Sequence, residues 1–328
     1  MLSKNSVSVH ALSGGYLTLP ERFFVTPLDN PSARRTVPSL SFLIQHKDEK
    51  SGKVTRIVFD LGIRRILEDY AEPIYKHAQT RQPISGEPGA VKSLEDGGLS
   101  PDDIDMVMFS HLHWDHIGAP SEYPNSTYVV GPGAKCLIDG SMSSAIGSHN
   151  HFETGILDLC RTIELPPTNL PATPPPFEEQ TTLSTQAQQL VSYLSQPWHR
   201  MGHFESVIDI FNDGSVYIVS APGHINGHIN LLCRLEDGRH IYLAGDACHD
   251  QRLLSGEKEV ATWHDDALPS VICCIHQNKA QAEKTLRAIR NTLREPGELG
   301  SVEVIFAHDW AWEKRAKRNN WFFPGSLA

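Results

Sequence analysis

Long apolar runs are missing from this chain. No window reaches the roughly 18 consecutive apolar residues that a membrane-crossing helix needs, and the opening MLSKNSVSVHALSGG lacks the apolar stretch of a secretory signal. A basic face is missing as well: the net charge is −10 and the pI near 5.9, with one short cationic run, EKRAKRNN, near the C-terminus. That balance argues against a nucleic-acid substrate, which calls for many phosphate-neutralising side chains. The six cysteines (Cys136, Cys160, Cys233, Cys248, Cys273, Cys274) show neither CxxC spacing nor a regular framework, so they read as reduced thiols. No G-x-S-x-G elbow and no P-loop is present, which removes the usual sequence signs of serine hydrolysis and of phosphate cradling. The expectation is a soluble cytoplasmic protein that binds neither membrane nor nucleic acid, with the oligomeric state open.

What is present is enough apolar material for a sizeable core: 40% of the 328 residues are hydrophobic and 21% charged, too apolar a mix for a disordered chain. Short runs rich in Val, Ile, Leu and aromatics recur between turn residues: LSFLIQH from Leu40, RIVFDLG from Arg56, IDMVMFS from Ile104, STYVVGPG from Ser126, SVYIVSAPG from Ser215, INLLCRL from Ile229, HIYLAGD from His240 and VEVIFAHD from Val302. Each suits a strand. Helical periodicity is clearest in NKAQAEKTLRAIRNTLR, where Asn278 can cap the start and Ala282, Leu286, Ile289 and Leu293 share a face. STQAQQLVSYLSQ and GIRRILEDYAEPIYKHA are further helix candidates. Strands and helices in both halves point to an α/β layered protein. It reads as one domain over 1–328 with a proline-rich insertion around 160–205, where LPPTNLPATPPPFEEQ is either a linker or a pocket wall.

The chemistry gathers in SHLHWDHIG. His111, His113, Asp115 and His116 follow a predicted strand directly, at the kind of strand end where open α/β sheets place ligands. Four metal-capable side chains within six positions would be costly to bury unpaired. His224, Asp246 and His308 repeat the arrangement, each standing soon after a predicted strand. Imidazole and carboxylate without thiolate suit catalytic Zn²⁺, and also Mn²⁺, Fe²⁺ or Co²⁺. Five histidines and two aspartates exceed one tetrahedral shell and fit two ions sharing a carboxylate.

The pattern His111-x-His113-x-Asp115-His116, with His224, Asp246 and His308 downstream and GGLSPDDIDMVMF and VFDLG around it, resembles the metallo-β-lactamase superfamily over about Val37 to Trp312. The likeness is to its dinuclear zinc hydrolases, such as acyl-homoserine lactonases and glyoxalase II. It implies an αββα sandwich of two mixed β-sheets flanked by helices. It also implies one ion on His111, His113 and His224, another on Asp115, His116 and His308, Asp246 bridging, and Asp60 orienting a histidine. His228 competes with His224 for its place; His224 is preferred because it directly follows the Pro-Gly turn. The implied chemistry is attack of a zinc-bridging hydroxide on a carbonyl, with Asp115 both ligating and relaying a proton.

HLH speaks against the redox di-iron branch of that superfamily, which carries a carboxylate where His113 stands. The lactonases commonly have a tyrosine three residues beyond the bridging aspartate; His249 stands there, and as a neutral imidazole it could donate to the substrate carbonyl. Trp114, Trp263, Trp310, Trp312 and Phe177 could line an apolar pocket, and His199 and His203 its rim. The separate helical domain of glyoxalase II looks missing. The reading is a zinc-dependent hydrolase opening a lactone of a small molecule with an apolar or aromatic part. The alternatives are a lactam hydrolase, a thioesterase, or a metal-binding scaffold without turnover.

Overall fold

The computed structural model describes residues 5–141, 150–169, 191, 193–265 and 268–327. Two six-stranded sheets dominate it. The first runs Val7–Pro20, Arg34–Lys47, Val54–Phe59, Met106–Met108, Thr127–Val130, Thr162–Glu164, with the first two pairings antiparallel and the last three parallel. The second runs Val302–Ile305, His240–Leu243, Ile229–Arg234, Val216–Ser220, Phe204–Asp209, His199–Met201, with only the first pairing parallel. All eight runs singled out above fall on these strands.

Side chains alternate across each strand, and the two faces of each sheet go to different cores. Phe42, Ile44, Ile57, Phe59, Met106 and Met108 of the first sheet pack with Ile218, Leu231, Ile241, Leu243 and Ile305 of the second. The opposite face of the first sheet, through Leu43, Val58 and Val107, packs with Leu94 of the helix Gly89–Asp96. Val219, Leu232, Tyr242 and Val304 of the second sheet pack outward with Leu286 and Ile289 of the helix Lys279–Arg294. This is the αββα sandwich that the resemblance implied. Each such buried side chain contributes about 1.5–3 kcal/mol, so the paired sheets form a stiff base for whatever their strand ends carry.

The strand directions set those ends. Val216–Ser220 and His240–Leu243 both run antiparallel to the strand between them, and Val302–Ile305 runs parallel to His240–Leu243. All three therefore finish at one edge of the second sheet. In the first sheet Val54–Phe59 and Met106–Met108 are parallel and also finish together.

Several expectations are refined. Val7–Pro20, Thr162–Glu164, His199–Met201 and Phe204–Asp209 are strands that were not anticipated. The first contains Ser13, Gly14 and Gly15, poor strand formers, and its register shifts between Ser13 and Tyr16. Asn278 caps the long helix, its side chain accepting from Gln281 N. Leu293, however, is 37% exposed, and Thr292 is buried in its place. In GIRRILEDYAEPIYKHA the α-helix is only Glu72–Gln79, with a proline in its first turn. Most of the proline-rich segment, Phe177 within it, and the start of STQAQQLVSYLSQ lie outside the described residues. Among the described residues no helix is long and apolar enough to cross a membrane.

Candidate metal centre

Asp60 organises the first strand end. It follows Val54–Phe59 in a left-handed conformation (φ 59°), a strain typically worth about 1–3 kcal/mol for a non-glycine residue. Its carboxylate accepts from Ser110 N at 2.7 Å, Ser110 Oγ at 2.6 Å and His116 Nδ1 at 2.9 Å. This fixes both ends of the His111–His116 turn and leaves His116 Nε2 pointing inward as an acceptor.

The seven anticipated side chains meet. His113 Nδ1 stands 2.9 Å from His111 Nε2 and 3.0 Å from His224 Nε2. Asp115 Oδ2 is 3.6 Å from His308 Nε2. Asp246 lies between the groups: its Oδ2 is 3.8 Å from His111 Nε2 and 3.4 Å from His224 Nε2, while its Oδ1 is 3.4 Å from His116 Nε2 and 3.2 Å from His308 Nε2. Donor atoms of His111, His113, His224 and Asp246 form one cluster within 4.8 Å, and those of Asp115, His116 and His308 a second. All are buried.

These groups fit metal ions on the chemistry of the donors themselves. A neutral imidazole carries one ring proton, and the outer nitrogens already have use for theirs: His116 on Asp60, His308 on Pro38 O at 2.8 Å. Inward-facing lone pairs then crowd together without protons to share. His116 Nε2 and Asp246 Oδ1 are buried without a hydrogen-bond partner, a costly state for protein alone and the natural one for atoms that meet a cation.

The electrostatics divide the imidazoles. Burial, joined by the neighbouring His116, His113 and His224, holds the His111 imidazole well below its ordinary pKa. Burial does the same to His224 against the pull of Asp246. Both imidazoles are thus held neutral. Burial also opposes charge on His116, but Asp246 and Asp60 reverse that and raise it well above the usual value. Asp246 is driven the other way: burial would raise it, but His249, His308 and His116 hold it well below the carboxylate range.

The neighbours of the clusters brace them. His228 Nε2 accepts from Asp246 N at 3.1 Å, so His228 positions the backbone of Asp246. Gly245 (φ 46°) is required there, because a Cβ would come within 2.7 Å of Ser110 Cβ. Gly223 (φ 131°) lets His224 approach the long helix, where a Cβ would meet Ala282 N at 2.3 Å. Gln277 N donates to His224 O at 2.8 Å, and that contact brings in His276, whose Nδ1 lies 3.2 Å from His224 Nδ1. Sequence reading missed His276; the one signal was its place just before the Asn278 cap.

His249 lines the cleft, and its Nε2–H donates to Asp246 Oδ2 at 2.9 Å. The cleft is lined by Leu17, Leu19, Phe24 and Ile275 on its apolar side and by His77, Arg81, Trp114 and His151 on another. Among the described residues, Trp114 alone of the anticipated aromatic wall lines the cleft. Trp312 is core, donating through Nε1 to Glu303; Trp310 is exposed beside Arg35 and Lys314; Trp263 packs on Phe23. His199 and His203 are on the far edge strand of the second sheet and the turn beyond it, and neither lines the cleft. His77, Arg81 and His151 were missed because they lie outside any recognisable motif.

No family model matches the chain. Among curated proteins it is 26% identical over 98% of its length to a cytochrome P450 monooxygenase of Penicillium brevicompactum, covering 37% of that protein. It is 28% identical over 77% of its length to a metallo-hydrolase of Annulohypoxylon moriforme, covering 59%. With a γ-lactamase of Fusarium pseudograminearum it shares 27% identity over 75% of the chain and 54% of the relative. The chain thus spans roughly a third to three fifths of the length of these relatives. A solved N-acyl homoserine lactone hydrolase with N-hexanoyl-L-homoserine at its metal centre superposes with a TM-score of 0.62 at 15% identity, over 98% of this chain and 100% of that one. The fold is that of this lactone hydrolase, and the convergent histidines and aspartates stand where the resemblance drawn from the sequence put them.

Proposed function

We propose that the chain is a metal-dependent hydrolase that opens a lactone, working with two zinc ions. The single observation that carries this reading is the division of Asp246: one oxygen faces His111 and His224, the other His116 and His308. A carboxylate so placed would serve a pair of ions. In this reading His111, His113 and His224 would hold one ion, Asp115, His116 and His308 the other, and Asp246 would serve both. Bound there, the ions would supply a water nucleophile at neutral pH and polarise the scissile carbonyl.

The protein's own groups do the rest. Asp60 and the Pro38 carbonyl take the outer N–H groups of His116 and His308, so both rings present Nε2 inward without rearrangement. Asp115, through the oxygen not turned toward His308, takes the proton of the attacking water and returns it to the leaving alkoxide. The ring C–O bond breaks and a hydroxy acid leaves. His249 steadies Asp246 through its Nε2–H, and Leu17, Leu19, Phe24 and Ile275 keep water from the apolar part of the substrate.

Lactam opening is the second reading, favoured by the likeness to a γ-lactamase; the same groups would then protonate a leaving nitrogen. A screen of zinc-loaded protein on lactones, lactams and thioesters, with metal content measured on the same sample, separates these readings from each other and from an inert scaffold. The expected result is about two zinc ions per chain and lactone turnover that His111→Ala abolishes. Less than about one ion per chain after loading, with turnover unchanged in His111→Ala, would overturn the proposal.

A further inference from the structure

The cleft holds a cation that the hydrolytic machinery does not use. Arg81 lines it together with Asp115, Asp246 and His308, and its side chain is half-buried. Among the described residues its guanidinium makes no hydrogen bond or ion pair. The acidic group that favours its charge is Asp115, which the reading above commits to a metal ion. Leaving a partly desolvated guanidinium without an anion is costly.

The backbone around Arg81 is held firmly. Arg81 N donates to Ala78 O at 2.8 Å and Thr18 N donates to Arg81 O at 2.9 Å, fixing the residue between the helix Glu72–Gln79 and the strand Val7–Pro20. Arg34 Nη2 donates to the carbonyls on either side, Thr80 O at 3.0 Å and Gln82 O at 3.1 Å. That brace brings a second guanidinium close, and Arg22 a third, both repelling the charge on Arg81. Three arginines at one spot on a chain of net charge −10 form a local positive field against the general one. His77 beside them adds no charge, since burial, followed by the charges of His151 and Arg81, pushes its pKa down to about 2.

We propose that Arg81 selects lactones bearing a carboxylate on the carbon that carries the ring oxygen, gripping that carboxylate with its planar fork while the scissile carbonyl lies over the histidine and aspartate clusters. The fork matches a carboxylate through two parallel N–H donors. The location of the scissile carbonyl rests on the hydrolase reading above; the anion site itself does not.

The test compares 5-oxotetrahydrofuran-2-carboxylate with its neutral carboxamide as substrates of the zinc-loaded protein, its Arg81→Gln variant and its Arg81→Lys variant. Both lactones release the same new carboxylate on opening, so the comparison isolates the group already present. The carboxylate is the better substrate of the parent, and the ratio of the two kcat/KM values falls about 10- to 100-fold in Arg81→Gln, as loss of a charged hydrogen-bonded pair implies. Arg81→Lys, which keeps the charge and loses the fork, recovers part of that ratio. An equal ratio in the parent and Arg81→Gln would refute the assignment.

Calorimetry with inert tetrahydrofuran-2-carboxylate and tetrahydrofuran-2-carboxamide supplies a readout free of turnover. Tighter binding of the carboxylate, with that preference lost in Arg81→Gln, supports the site even if neither lactone is opened; in that event the lactone reading alone fails. A carboxylate preference that survives in Arg81→Gln reflects the metal ions and rejects the proposal, as do equal affinities of both compounds for the parent.

Discussion

The floor of the cleft and its walls are built on different plans. On the floor seven side chains from four strand ends converge, every one buried and three of them braced by a neighbour: Asp60 for His116, Pro38 O for His308, His228 for Asp246. The walls come from unrelated places: Leu17 and Leu19 from the first strand, Phe24 after it, His77 and Arg81 around a short helix, His151 and Ile275 from connecting segments. In the hydrolase reading, the floor residues would carry the reaction and the wall residues the choice of substrate. That division is what a fold needs to keep its chemistry while changing what it acts on.

The comparison is broken most severely at Asp246. Asp246→Ala removes a side chain that faces both clusters, so metal content after zinc loading falls to about one ion per chain or fewer and hydrolysis falls by more than the ~100-fold typical of losing an outer-shell partner. Metal analysis and kcat/KM on one sample check this. Asp60→Asn comes next. It keeps the shape but weakens acceptance from His116 Nδ1 and Ser110, and zinc affinity measured by chelator competition falls about 10- to 100-fold.

A wall variant separates the two plans. His249→Tyr touches floor and wall at once, since it replaces the donor to Asp246 Oδ2. It changes lactone turnover while zinc content stays near that of the parent; unchanged turnover would remove His249 from the machinery. The smallest effect is at His77, and it appears as pH dependence. Its folded pKa lies far below the ordinary 6.5, so the unfolded chain binds the extra proton and stability is lost as pH falls below about 6.5. His77→Gln flattens that loss, by no more than about 1.4 kcal/mol per pH unit, in urea titrations between pH 7 and 5, with zinc binding at neutral pH retained.

Legibility in the sequence followed the same line. The strands LSFLIQH, RIVFDLG and VEVIFAHD were visible because their apolar runs lie between two packed layers. The edge strand His199–Met201 was not, because two of its three residues are exposed and carry no pattern. On the floor, four metal-capable residues in six positions announced themselves. His224, Asp246 and His308 could be added because each follows a strand, and a strand end is a position that sequence can locate. On the walls nothing comparable exists. Trp263, Trp310 and Trp312 were reasonable pocket candidates by size, but packing sends them to Phe23, the exposed helix start and the core respectively. His276 reaches His224 through a backbone contact that no local pattern encodes.

By itself, then, the sequence determined which side chains could take a metal and that their strands end where ligands collect, because hydrophobic period and residue chemistry are local properties. Tertiary structure alone decided that Asp246 divides its two oxygens between the clusters, that His249 turns to that carboxylate, and that Arg81 stands in the cleft without an ion-pair partner among the described residues. Those are relations between side chains distant in sequence. They are set by how two twisted sheets and a short helix pack, and a few ångströms of packing outweigh any propensity a single residue carries.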